Sequence, residues 1–341
     1  MTNAPRAAIY ELRAPRTLEI VERPLDLPLR EGRVLAQTRY SVISPGTETA
    51  AWVGKPPLRP AAQYPRLVGY CNVAKVLDAA AGSDVGIGDY ILTHQSHRSH
   101  FVVPRSEILL ALRDADDVTL RRLATVYLYH LAYAALISAR FQPGTRVAVI
   151  GLGALGFAAS GLVQALGGRP IVFTGRRLAT PESSLAGALV VAKDISGDAL
   201  RALEPEWDGA DIVINTSDSW EDYLLSLQTA RRGATVLLLG FPGRGLPAPG
   251  FNPLDPQYLY DKQLCLRQTG QLLDDGSGSF DAQARLRQNL ALLWDLVTQR
   301  ALDPLPLVAS CLPWRELAQA YDMLLDRQPG RYSALLDWSS P

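Results

Sequence analysis

Residues 146–168 read RVAVIGLGALGFAASGLVQALGG, and this stretch constrains the chain more than any other. A buried-strand run, residues 147–150, passes directly into Gly151-Leu152-Gly153-Ala154-Leu155-Gly156 and then into a helix-forming run of small residues. Strand, G-x-G-x-x-G and helix in that order form the fingerprint of a dinucleotide-binding turn. Gly151 permits the tight turn, Gly153 lets backbone approach a pyrophosphate, and Gly156 lets helix pack closely on strand. The N–H groups of Ala154, Leu155 and Gly156 then open a helix whose positive dipole end favours phosphate. Residues 147–168 also lack charge over the length a membrane-spanning helix needs, roughly 20 residues. Glycines on a turn spacing at the start of that run speak against a span.

The chain of 341 residues is long enough for two domains. It is 48% hydrophobic and 20% charged, as a globular protein is, and Lys plus Arg (34) equals Asp plus Glu (34). No net field draws it to nucleic acid or to an anionic membrane. The N-terminus has no uninterrupted apolar signal segment. Cys71, Cys265 and Cys311 are too few and too scattered for a disulfide framework or a CxxC metal site, so a cytoplasmic location is expected.

Up to about residue 113, short β-rich runs alternate with Gly, Pro and Asp clusters, the pattern of a compact, mostly antiparallel β domain. Residues 52–65, rich in proline, read as a surface loop. Residues 120–138 carry helical signals, and Pro143-Gly144 closes that segment before the fingerprint. Apolar runs at 171–173, 211–215 and 234–239 have the length of buried parallel strands, giving an α/β fold with a doubly wound parallel sheet. Beyond a Gly/Ser/Asp loop at 274–279, two amphipathic helices follow, with Leu286, Leu290, Leu293 and Val297 on one and Trp314, Leu317, Tyr321 and Leu324 on the other. A last strand covers 332–338.

The residue ending the second strand of such a fold, roughly 20 after the first glycine, selects between NAD and NADP. This chain has Thr174, Gly175, Arg176 and Arg177 there, with no carboxylate before Glu182. A threonine donor and guanidinium groups suit a 2′-phosphate, so NADP(H) is the expected cofactor. Thr216 and Gly240, which follow the two later strands, complete the expected cofactor contacts.

With these parts in order, the chain resembles the medium-chain dehydrogenase/reductase superfamily over almost its whole length. The resemblance is carried by Tyr40-Ser-Val-Ile-Ser-Pro-Gly-Thr-Glu48, Pro65-Arg-Leu-Val-Gly69, Val85-Gly-Ile-Gly-Asp89 and Phe141-Gln-Pro-Gly144 before the fingerprint. It implies a GroES-like substrate domain at 1–124 completed by 272–341, a Rossmann domain at 125–271, a small-molecule substrate and a homodimer.

Zinc members of the superfamily place a Cys, a Gly-His-Glu and a further Cys or acid around the metal. By the motifs, Ser44, Tyr70 with Cys71, and Tyr127 stand at those positions here. A lone Cys71 cannot supply a tetrahedral N/S site, and no metal is expected. His94, His97 and His100 offer three imidazoles, but on an extended segment His97 would point away from the other two. The resemblance therefore implies catalysis by hydroxyl donors, with Ser44, Thr47, Tyr70, Tyr127 and His130 lining the substrate cleft. Thr47 stands where the superfamily's proton-relay hydroxyl usually does, and Glu48 is expected in a structural ion pair.

The Ser-x-x-Ser-x-Gly-Thr-Glu turn, residues 41–48, resembles that of a zinc-free subgroup containing the dehydrogenase for the hydroxyethyl group of bacteriochlorophyllide, and of tailoring reductases. The expected activity is NADPH-dependent interconversion of an alcohol with a carbonyl, or of a related C=N bond. Enoyl or quinone reduction on the same fold, and cofactor binding without catalysis, are the competing readings.

Overall fold

A computed structural model of the chain describes residues 5–57, 62–175, 185, 187–268, 280–308, 310–328 and 330–339. They fall into two compact units, Met1–Tyr127 with Gln283–Thr298 and Asp303–Pro341, and Leu128–Ala282 with Gln299–Leu302.

In the first unit, β1 (Arg6–Ala14) pairs antiparallel with β2 (Thr17–Pro24) and with the short β4 (Arg66–Leu67). A larger sheet has the order β15 (Ser310–Pro313), β16 (Ala334–Asp337), β3 (Arg33–Val42), β5 (Asn72–Ala79), β6 (Tyr90–Thr93), β8 (Ile108–Leu112), with β7 (His100–Pro104) also on β3. Alternation along β3 and β5 turns Val34, Ala36, Ala74 and Val76 inward against Phe101 and Val103. A second core gathers Tyr10, Leu12, Ile43 and Trp52 with Trp314, Leu317, Tyr321 and Leu324 of the C-terminal segment. The stripe expected on that last helix, α7 (Leu317–Leu325), is thus core. Trp52 is 4% exposed, so the expected 52–65 surface loop begins as core: Trp52 ends helix α1 (Pro45–Trp52) and meets Tyr321 at 5.6 Å with the rings tilted by 44°.

In the second unit, all described sheet pairings are parallel. The order is β11 (Leu189–Ala192), β10 (Arg169–Thr174), β9 (Arg146–Ile150), β12 (Ala210–Asn215), β13 (Ala230–Leu238), β14 (Cys265–Gln268). In sequence order this is 3-2-1-4-5-6, the doubly wound arrangement, with its switch point between β9 and β12. Ala148, Ile150, Ile171, Phe173, Val213 and Val236 form one face of the sheet and bury against Tyr223 and Leu227 of α5 (Trp220–Thr229). Strands β11 and β14 went beyond the sequence expectation; each is four residues long, too short to show a period.

Helix α2 (Asp117–Ser138) passes through the boundary between units at Tyr127, and α6 (Phe280–Thr298) buries Leu290, Leu293 and Val297. Among the described residues no helix is long and apolar enough to cross a membrane.

Candidate active site

The fingerprint turn lies at the end of β9. Gly151 has φ +94°, a conformation open to glycine, and its N–H donates to the Phe173 carbonyl at 2.9 Å. A Cβ on Gly156 would stand 1.9 Å from the Gly151 carbonyl oxygen, so helix and turn meet there without room for a side chain. A Cβ on Gly153 would meet no protein atom within 4 Å. Helix α3 (Ala154–Ala165) starts at Gly153 with no side-chain cap and no acid in its first turn, leaving the N–H groups of Ala154, Leu155 and Gly156 to a ligand. An open glycine beside an uncapped helix start fits the pyrophosphate of a dinucleotide.

Thr216 and Gly240 serve the turn in another way. The Thr216 hydroxyl donates to the carbonyls of Ile150 (3.1 Å) and Gly151 (3.2 Å), bracing the switch point. A Cβ on Gly240 would fall 2.2 Å from the Ser217 carbonyl oxygen, so this glycine allows two strand ends to approach. Thr174 closes β10 and is buried. Arg176 and Arg177 lie outside the described residues. Sequence reasoning missed Lys193, which follows β11 in register with the end of β10. Its Nζ donates to Asp222 Oδ2 at 2.6 Å, and its Cδ would be 4.0 Å from a Cβ on Gly175. A cation and a carboxylate thus sit beside the end of β10.

In the first unit, Pro45 takes the first position of α1, as its fixed φ favours. The segment expected as a turn at 44–48 is the first turn of this helix. Ser44 is its N-cap residue, but its hydroxyl does not cap; Glu48 Oε1 instead accepts the Ser44 N–H at 2.6 Å. The Ser44 hydroxyl is left for Tyr70, whose phenol donates to it in a short hydrogen bond. The Tyr70 ring meets Tyr127 edge-on at 5.8 Å, and His94 meets Tyr127 edge-on at 4.6 Å. His94 Nδ1 lies 3.3 Å from the Tyr70 carbonyl oxygen.

Ser44, Tyr70, Tyr127 and His94 therefore form one cluster. Burial pushes the Tyr70 and Tyr127 phenols well above the ordinary tyrosine value, with the Cys71 thiol adding to both. Burial also raises the Cys71 thiol and lowers His94 below its ordinary 6.5. Thr47 is half-buried in the same helical turn, its N–H donating to the Ser44 carbonyl at 3.1 Å. His130 is buried further along α2, in the second unit.

Behind Ser44 lies a fully buried network. Glu48 Oε2 accepts from Tyr321 Oη (2.7 Å) and from His97 Nε2 (2.8 Å). His97 Nδ1 is 2.8 Å from Ser41 Oγ, which itself accepts the Trp338 indole N–H at 2.8 Å. The Glu48 carboxylate can only accept, so His97 carries a hydrogen on Nε2. The expected alternation of the three histidines does not occur, because residues 94–99 belong to no strand. His94 joins the tyrosines, His97 the network, and His100 turns to Ser99 Oγ (3.1 Å) on β7.

Among the described residues no group of three or more His, Cys, Asp or Glu side chains is placed to hold a metal ion. The hydroxyls of Ser44, Tyr70 and Tyr127 with the one buried thiol, Cys71, form a donor set unsuited to tetrahedral zinc.

No protein-family model matches the chain. It is 24% identical over 281 residues to an alcohol dehydrogenase of Geobacillus stearothermophilus, covering 72% of this chain and 80% of that protein. Among solved structures, galactitol-1-phosphate dehydrogenase from Escherichia coli superposes with a TM-score of 0.76 at 17% identity, covering 98% of this chain and 100% of that one. A dehydrogenase from Sinorhizobium meliloti 1021, described as zinc-binding and bound to NADP, superposes with a TM-score of 0.71 at 18% identity, covering 98% and 99%. The chain thus carries the fold of the medium-chain dehydrogenase/reductases, a GroES-like part and a Rossmann part.

Proposed function

We propose that the protein is a zinc-independent, NADPH-dependent oxidoreductase that interconverts an alcohol and a carbonyl, or a related C=N bond, on a small molecule. The observation that carries this reading is the Ser44–Tyr70–Tyr127 cluster: hydrogen-bonding hydroxyls stand at the three positions where the superfamily resemblance puts metal ligands. Without a Lewis acid, a carbonyl oxygen must be polarised by such donors. Because burial raises both phenols, Tyr70 and Tyr127 keep their protons at neutral pH; the Tyr70 hydrogen goes to Ser44, so the Ser44 hydroxyl is the donor that this pair offers to substrate. Ser44 orients Tyr70, and Thr47 offers a further hydroxyl beside it. A bound nicotinamide cofactor supplies or removes the hydride. The chain's own part is to hold the pyrophosphate at Gly153 and the start of α3.

The preference for NADP(H) is supported by Thr174, by Lys193 beside the strand end, and by Arg176 and Arg177 in the sequence. We assign residues 1–124 with 272–341 to substrate and 125–271 to cofactor. The 41–48 motif supports the subgroup that resembles hydroxyethyl-bacteriochlorophyllide dehydrogenase, acting in a tetrapyrrole or secondary-metabolite pathway. The resemblance supports a homodimer, and three free cysteines fit the cytoplasm.

The test is a fluorescence titration with NADPH and NADH, with and without Arg176→Ala, and metal content read on the same sample. Active protein is then offered a saturated ketone and its enone. Tight NADPH binding weakened by the substitution, no stoichiometric zinc, and a saturated alcohol as product are expected. One zinc per chain, preference for NADH, or reduction confined to the enone carbon would overturn the reading.

A further inference from the structure

We propose that His94 is the proton-exchanging residue of this site: its Nε2 gives a proton to the substrate oxygen in carbonyl reduction and takes one back in alcohol oxidation. The inference rests on the alcohol–carbonyl reading above and supplies the acid that reading lacks.

The chain has four histidines. His97 is fully buried with both ring nitrogens engaged, by Ser41 and Glu48. His100 turns to Ser99, and His130 is buried in the second unit. His94 alone is an exposed residue touching the hydroxyl cluster. The Tyr70 carbonyl can only accept, so Nδ1 carries the hydrogen in the bond it makes there. Nε2 is left without a partner among the described residues, on a ring fixed by that bond and by the edge-on contact with Tyr127. An anchored Nδ1–H with a presented Nε2 is the arrangement a general acid–base needs.

Tyr70 has given its hydrogen to Ser44, and burial keeps both phenols protonated, so neither is the base that alcohol oxidation needs near neutral pH. His94 faces the Tyr127 ring from α2 and the Tyr70 carbonyl from the segment before β5; on its own segment, Gln95 turns its amide to Glu107. The buried Cys71 thiol stands with Tyr70 and Tyr127, and no ion pair reaches His94 among the described residues. Partial enclosure of the ring therefore sets its direction, below 6.5, against the opposing effect of its bond to the Tyr70 carbonyl.

The step balances. Hydride adds to the carbonyl carbon, the C=O π pair moves to oxygen, and the O–H bond forms as the Nε2–H bond breaks. The imidazolium is left as imidazole and recovers its proton from water at the exposed ring.

His94→Asn retains an N–H for the Tyr70 carbonyl and removes Nε2, and its melting temperature controls for folding. In the wild-type protein without ligands, long-range ¹H–¹⁵N correlation should show the Nδ1–H form at high pH, with a midpoint below 6.5. For any aldehyde or ketone the wild type reduces, kcat/KM should fall as pH rises through that midpoint, and oxidation of the product alcohol should rise. In His94→Asn that limb should vanish and kcat/KM drop about 100-fold, with NADPH affinity unchanged. Retention of the limb in a folded His94→Asn, a loss under about threefold, or the Nε2–H form by NMR would overturn the proposal. A wild type that reduces no carbonyl overturns the reading and this step together; turnover with an unchanged variant overturns only His94.

Discussion

The imidazole of His97 occupies the space a side chain on Gly69 would need. A Cβ there would stand 2.7 Å from the ring, and Gly69 has φ +85°. Strain and clash coincide, so Gly69→Ala should cost about 3 kcal/mol in urea unfolding. It should also loosen Ser44, because His97 holds the Glu48 carboxylate that accepts the Ser44 N–H. A loss under about 1 kcal/mol would mean that His97 repacks freely.

Two fingerprint glycines should fail in different ways. Gly156→Ala forces a carbon onto the Gly151 carbonyl and should lower thermal stability as well as cofactor binding. Gly153→Ala meets only open space, so melting should hold while NADPH affinity falls about tenfold or more, roughly 1.4 kcal/mol. Calorimetric titration beside thermal melts separates the two.

Lys193 and Asp222 should act on the cofactor with opposite sign. Lys193→Ala removes a cation near the end of β10 and should weaken 2′,5′-ADP and NADPH about tenfold, leaving NADH unchanged. Asp222→Asn removes a carboxylate that competes for that cation and should tighten NADPH a fewfold. Equal effects on NADPH and NADH would assign the pair to the fold alone.

Alkaline stability should report on two buried phenols. Tyr10 donates to the Trp314 carbonyl at 2.9 Å, and burial pushes it up to about 12, against the pull of Arg315. Burial, reinforced by the bond to Asp117, brings Tyr40 to about 12 as well, with Arg121 and Arg39 opposing. The unfolded phenols ionise first, at the ordinary 10.0. Stability is therefore full below pH 10 and declines as pH rises toward 12. Tyr10→Phe should remove on the order of 2 kcal/mol of that decline, read from urea midpoints at successive pH values.

The Rossmann part was legible from residues because a glycine at a positive-φ turn has few substitutes, and because β9, β10, β12 and β13 are apolar runs bounded by turns. Helices α4 (Gly197–Leu203) and α5 escaped notice although Ser196 and Ser219 cap them by accepting from the third residue on; neither helix has a long apolar stripe. The Glu48–Tyr321 contact spans 273 positions and Ser41–Trp338 spans 297, separations at which no local period carries information. The histidine triplet misled for a related reason: strand alternation applies only where there is a strand, and residues 94–99 form a loop. Lys193 was hidden because its importance depends on a parallel register, and sequence spacing does not reveal which strands are neighbours.

Cys71 sits at the seam between Tyr70 and the buried network, with no exposed surface and a thiol raised by burial, whereas Cys265 and Cys311 are open to solvent. Two thiols will thus react with a disulfide reagent at once, and the third only when the GroES-like part opens around it. The molecule carries its own clock: the slow third equivalent times the breathing of the hydroxyl cluster, and whatever ligand settles there will slow it.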